Sequence, residues 1–237
     1  MAASLKHPSV LGGLVLALVY AVSGPALAHG VAGADQQFLE VSTGQQLGPF
    51  LYLGAKHMVT GYDHLLFLVG VLFFLYRPRD VAVYVTLFSL GHSLTLLYGV
   101  LSGTHVDPYL VDAVIGFSVV YKGLDNLGLL ERWLGFQPST KGAVLLFGLV
   151  HGFGLATKLQ DFSLSQDGLV ANILAFNAGV EIGQLLALGL VLIGLGYWRR
   201  SAAFGRQAAG ANVLLIVAGL GLVVYQLNGF FRAGAGA

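Results

Sequence analysis

Apolar residues along this chain gather into six long runs, about 50–75, 81–101, 109–127, 142–159, 169–198 and 211–231, each closed by glycine, proline or charge. At about 1.5 Å of rise per residue, a helix built from any of them reaches across a hydrocarbon layer of roughly 30 Å. A shorter apolar run, 10–22, comes first. It follows Lys6 and His7 and precedes Ser23-Gly24-Pro25 and Ala26-Leu27-Ala28, the pattern of a secretory signal with a small-residue cleavage site. Residues 1–28 are therefore expected to be a cleaved signal peptide, the other reading being an uncleaved first helix. Cleavage leaves His29 at the mature terminus, where amine and ring together can chelate a metal. Residues 29–49 are mixed and polar, with Asp35, Gln36, Gln37, Glu40, Thr43 and Gln45, and are expected to form a short external segment. The expected fold is all-α, a polytopic membrane bundle of six transmembrane helices occupying residues 50–237.

Charge placement supports that layout. With the mature amino terminus outside, Arg77, Arg79, Arg132, Lys141, Arg199, Arg200 and Arg206 fall on the inside, against Lys56, Lys158 and Arg232 at outside ends. Basic residues collect on the cytoplasmic side of membrane proteins, so the expected location is the inner (plasma) membrane of a bacterium, with both mature termini outside. Tyr52, Tyr76, Tyr109, Trp133, Trp198 and Tyr225 lie near run ends, where interface aromatics belong. Of the 237 residues, 56% are hydrophobic and only 10% charged, which excludes an ordinary soluble domain. A net charge of +1 gives no reason to expect a nucleic-acid partner. The chain has no cysteine and two methionines, so disulfides, thiolate sites and soft Cu(I) handling lack their sulfur. Imidazole, carboxylate and amide oxygen remain, a set suited to Ni, Co, Zn, Mn or Fe.

Those donors are placed unusually. His57-Met58-Val59-Thr60-Gly61-Tyr62-Asp63-His64 runs straight into an apolar segment, and an unbroken helix stacks His57 about ten ångströms above His64, as an outer relay. His64, His92 and His151 all come near mid-membrane on separate helices, and so do Asn177, Glu181 and Gln184, which share one helix face at i, i+4 and i+7. Each ionisable group at that depth costs about 2.5 to 3.5 kcal/mol if left alone, and a shared cation relieves several at once. The metal-site candidates are His57, Asp63, His64, His92, His151 and Glu181. Asp63 either binds directly or orients a ring, and Ser93, Asn177 and Gln184 offer neutral support. The competing account of each histidine is a neutral, hydrogen-bonded packing residue, and of the set a proton-sharing structural network. Lys122, Asp125 and Asn126 read as a local pair at a span end, His105 and Asp107 as solvated loop residues, and the many glycines inside the runs as tight helix packing. A faint echo between Asp63-His64 and His151, each in the first run of its half, hints at a duplicated three-helix unit.

Four ordered motifs bear a family resemblance. His57 to His64 followed by Leu65-Leu66-Phe67-Leu68, then Gly91-His92-Ser93-Leu94-Thr95-Leu96, then Phe147 to Gly154, and lastly Asn177 to Gln184, together resemble the conserved blocks of the HupE/UreJ family of membrane proteins, in its less characterised second branch. The resemblance covers about residues 50–231. It implies a nickel, sometimes cobalt, permease associated with hydrogenase and urease maturation, and a metal-binding role for His57, Asp63 and His64. A looser likeness links that motif to the His, four residues, Asp-His motif of nickel/cobalt transporters, from which this chain departs by one residue.

The leading expectation is thus a secondary permease for a divalent transition metal, nickel first, with cobalt or zinc as other ions, handing its cargo to a cytoplasmic metallochaperone or metalloenzyme maturation protein. Two alternatives stand beside it. One is an intramembrane zinc-dependent hydrolase acting on a lipid or acyl substrate, disfavoured because the chain has no His-Glu-x-x-His, no serine-nucleophile elbow and no dense histidine boxes. The other is a metal-delivery or assembly factor that binds without transporting. No enzyme activity is expected.

Overall fold

The computed structural model describes residues 37–39, 41–160 and 165–235. The expected signal peptide, His29 and most of the external segment lie outside the described residues. Among the described residues every regular element is helical: α1 (Leu47–Thr60), α2 (Tyr62–Leu72), α3 (Pro78–Ser102), α4 (Pro108–Asn126), α5 (Leu129–Leu134), α6 (Thr140–Gln160), α7 (Leu169–Arg199) and α8 (Phe204–Ala235). Local chemistry sets the ends. Pro78 and Pro108 occupy first-turn positions, where a missing N–H costs nothing. Asp107 caps α4 by accepting from the backbone N–H of Tyr109 and of Leu110 at 2.9 and 3.2 Å. Gly103 ends α3 in the left-handed conformation, at φ 64°.

Four helices, α3, α6, α7 and α8, are long and apolar enough to cross a membrane, and this is a membrane protein. Two of the six expected spans take another form. The first is broken: α1 has 14 residues and α2 has 11, separated at Gly61, whose ψ of 86° leaves the helical region. The third is α4, only 19 residues long and carrying Asp112, Lys122 and Asp125. Arg199 of α7 reaches back to hold the end of α2, its guanidinium donating to the carbonyls of Leu72, Phe73 and Leu75. A charge-assisted clamp of that kind answers the unpaired carbonyls of a short helix.

Three helix pairs make up the bundle: α1 with α7, α3 with α6, and α4 with α8. Glycine lines all three seams. A Cβ placed on Gly54 would lie 2.0 Å from the Phe176 carbonyl oxygen, on Gly179 1.9 Å from that of Leu51, and on Gly152 2.1 Å from that of His92. Backbones touch there, and no side chain fits between them. Contacts advance together along α1 and α7 and along α3 and α6, so those pairs run parallel, while α4 and α8 run antiparallel. Glycine also occurs where packing does not require it, since nothing lies within 4 Å of a Cβ at Gly189, Gly194 or Gly196. Trp198, expected at an interface, is buried instead, its ring N–H donating to Gln207 Oε1 at 2.9 Å beside Phe73 and Phe204. Tyr52, Tyr76, Tyr109, Trp133 and Tyr225 are exposed.

Gly179→Ala is expected to cost about 1–3 kcal/mol by forcing α1 from α7, read as a lower unfolding temperature in detergent. Gly189→Ala, in open space, is expected to be neutral or to stabilise by up to about 1 kcal/mol.

Candidate metal centre

The break at Gly61 builds the site. An unbroken helix would hold His57 and His64 two turns apart, but the turn between α1 and α2 folds them together, with ring centroids 5.1 Å apart at 80°. His57 is therefore part of the buried group, and the outer relay expected of it is not formed. The turn is fixed by Asp63, whose Oδ1 accepts from the backbone N–H of His64 and from its ring Nδ1, both at 2.8 Å. With Nδ1 as donor, the His64 lone pair lies on Nε2, so Asp63 orients the ring and sets its tautomer. A side chain at Gly61 would meet that ring, because a Cβ there falls 2.9 Å from His64 Nδ1.

The α3/α6 pair brings the other two imidazoles. His92 lies 5.9 Å from His64 and 6.4 Å from His57 between ring centroids, and His151 lies 4.7 Å from His64. His64, His92 and His151 are each 0% exposed. His151 Nδ1 donates to the Phe147 carbonyl one turn back, at 2.6 Å, which leaves its Nε2 as the acceptor. Neither nitrogen of His92, nor His151 Nε2, has a hydrogen-bond partner among the described residues. Buried polar atoms are nearly always satisfied, so lone pairs kept in this state mark a place for a ligand.

One ring nitrogen from each of His57, His64 and His92 lies within 4.8 Å of the other two. Two nitrogens at about 2.0–2.1 Å from one ion stand at most about 4.2 Å apart, so small side-chain rotations close the site. Its walls are aromatic. Phe88 approaches His151 at 5.0 Å, His64 at 6.1 Å and His92 at 6.3 Å, Phe67 approaches His151 at 5.8 Å, and Phe176 approaches His57 at 5.9 Å. These rings exclude water and lower the local dielectric. Sequence reading passed them over, although Phe67 and Phe88 sit three and four residues from His64 and His92, on the same helix faces.

α7 contributes less than its motif suggested. Gln184 is buried and accepts at Oε1 from the Ser89 hydroxyl at 2.7 Å, which ties α7 to α3 beside His92. Asn177 is half-buried, with an enclosed Oδ1 lacking a partner among the described residues. Ser93 is half-buried and makes no hydrogen bond to the group. Glu181 is exposed, outside the buried cluster of imidazoles. It lies about 60° round the helix from Gln184, beyond the face that packs against α1 and α3.

Charges at span ends behave unevenly. Lys122 pairs with Asp125 as expected, and Asn126 joins them by donating to the Gly70 carbonyl and to Asn212 Oδ1. Asp112 was not anticipated. Its carboxylate is buried, accepts from Lys158 Nζ at 2.7 Å and from Gln226 Nε2 at 3.3 Å, and joins α4, α6 and α8 two turns beyond His151. The signal was a lone acid within an apolar run, four residues after a helix-starting proline.

Neither curated proteins nor solved structures gave a match. The family model described as HupE / UreJ protein matches residues 33–233, which include every residue of the buried imidazole group and nearly the whole chain. The chain therefore belongs to the HupE/UreJ family.

Proposed function

We propose that this protein is a secondary permease for a divalent transition-metal ion, nickel first and cobalt second, and that the ion passes through the site formed by His57, His64, His92 and His151. The observation that carries the reading is the convergence of four imidazoles from the broken helix and from two others, α3 and α6, with the lone pairs of His92 and His151 without hydrogen-bond partners among the described residues. Imidazole suits Ni, Co and Zn, and the absence of thiolate argues against soft cations. Family membership favours nickel or cobalt within that group.

Six crossings follow if α1 and α2 together count as one and α4 as another, with α1–α2 entering as a broken helix whose irregular backbone is shielded by protein. Both mature termini then lie outside, in a bacterial inner membrane. A doubly charged ion moving inward gains roughly 4.6 kcal/mol per 100 mV, so the potential alone concentrates it without ATP. Asp63 supplies the negative charge that partly offsets the ion, and it holds His64 for binding. A cytoplasmic maturation protein is the fitting recipient.

Purified protein is expected to bind nickel in a fixed stoichiometry by elemental analysis. His64→Ala and His92→Ala should lose it, and Asp63→Asn should weaken affinity about 10–100-fold by loosening the His64 ring. Glu181→Gln should retain the metal. In proteoliposomes, uptake of radioactive nickel is expected to rise with an inside-negative potential and to vanish in His64→Ala. Tight binding with no flux would instead identify a delivery factor, and flux that survives His64→Ala would remove the site from the pathway.

A further inference from the structure

The three glycine seams obey a hidden symmetry. Gly54 of α1 meets the Phe176 carbonyl of α7 as Gly148 of α6 meets the Phe88 carbonyl of α3. Gly179 of α7 meets Leu51 and Ala55 of α1 as Gly91 of α3 meets Leu145 and Leu149 of α6. In the third seam Gly116 meets Val223 as Gly219 meets Val120, and Tyr109 meets Gly229 as Asn212 meets Asn126. One constant shift per helix accounts for every match, carrying α1 onto α6, α3 onto α7 and α4 onto α8. The same shifts carry His57 onto His151, whereas His92 falls on Val180. Because α4 meets its own counterpart antiparallel, the two-fold axis is perpendicular to the helices, so the second three-helix unit is inverted in the membrane relative to the first.

The two halves are alike in their seams and unlike in one place. The first is broken at Gly61, whereas the matching stretch of α6, around Gly154, continues as helix. The detached α2 packs against α4, while among the described residues α6 has no comparable contact with α8. Two halves of one plan held in different conformations describe one end state of a two-state exchange.

We infer that the two inverted units exchange conformations: in a second state α1–α2 becomes continuous, α6 breaks at Gly154, and the end of α6 moves toward α8 as α2 leaves α4. His57 and His151 are equivalent under the axis, so the imidazole group stays central while the opening passes from one side to the other. The inference rests on the permease reading for what is carried, but not for the motion itself.

Hydrogen exchange read by mass spectrometry on the full chain in lipid nanodiscs tests it. Without added metal, amides in 152–160 are expected to exchange faster than those in 85–96, the interior of α3. The discriminating variant is Tyr62→Pro. Proline suits the first turn of α2 but cannot sit inside a continuous helix, so it holds the described state. It should slow exchange in 152–160, on a different helix from the substitution, by about tenfold or more, while 85–96 is unchanged. Local looseness from Gly152 and Gly154 predicts no such effect. Unaltered exchange in 152–160 in Tyr62→Pro, or wild-type protection there equal to that of 85–96, overturns the inference. Nickel chloride forms a separate arm: coupling between the halves without any nickel response leaves the exchange standing and counts against the nickel reading alone.

Discussion

Holding four imidazoles against one another in an apolar interior is the constraint that shapes this protein. Each ring carries a donor and an acceptor that water would satisfy outside, and two of the four are held here by a particular device. Asp63 fixes His64, the Phe147 carbonyl fixes His151, and His92 is left with both nitrogens enclosed and unbonded. The aromatic walls of Phe67, Phe88 and Phe176 keep water from taking the remaining positions. On the proposed reading, the unfavourable desolvation stored in such a site is relieved by a divalent cation.

The scaffold answers that constraint with backbone contact. Glycine seams bring α3 against α6 and α1 against α7 closely enough for side chains from both pairs to meet at one point. The break at Gly61 does what no continuous helix can, folding two histidines of one motif into a single site. Arg199, at the end of α7, then holds the severed end of α2. The buried ion pair Asp112–Lys158 joins α4 to α6, and Lys122–Asp125 pairs within α4; together they let a short, charged helix lie within the bundle.

Much of this was legible in the chain. Apolar runs located the helices, and the depths of His64, His92 and His151 identified them as a group because separate helices carried them to one level. What failed did so for physical reasons. The position of His57 depended on ψ at a single glycine, which hydropathy does not register. Glu181 shares a motif face with Asn177 and Gln184, yet the packed sector of α7 is narrow enough that about 60° removes it from the interior. The pairing of α4 with α8 and the burial of Asp112 are long-range consequences of which glycines meet, and identical glycines at 189, 194 and 196 meet nothing.

X-ray absorption at the nickel edge of the loaded protein tests the central claim most directly. The account predicts several nitrogen neighbours at about 2.1 Å with the outer-shell scattering of imidazole rings, diminished by loss of His64 or His92. A spectrum of oxygen neighbours alone, unchanged in those variants, would contradict it.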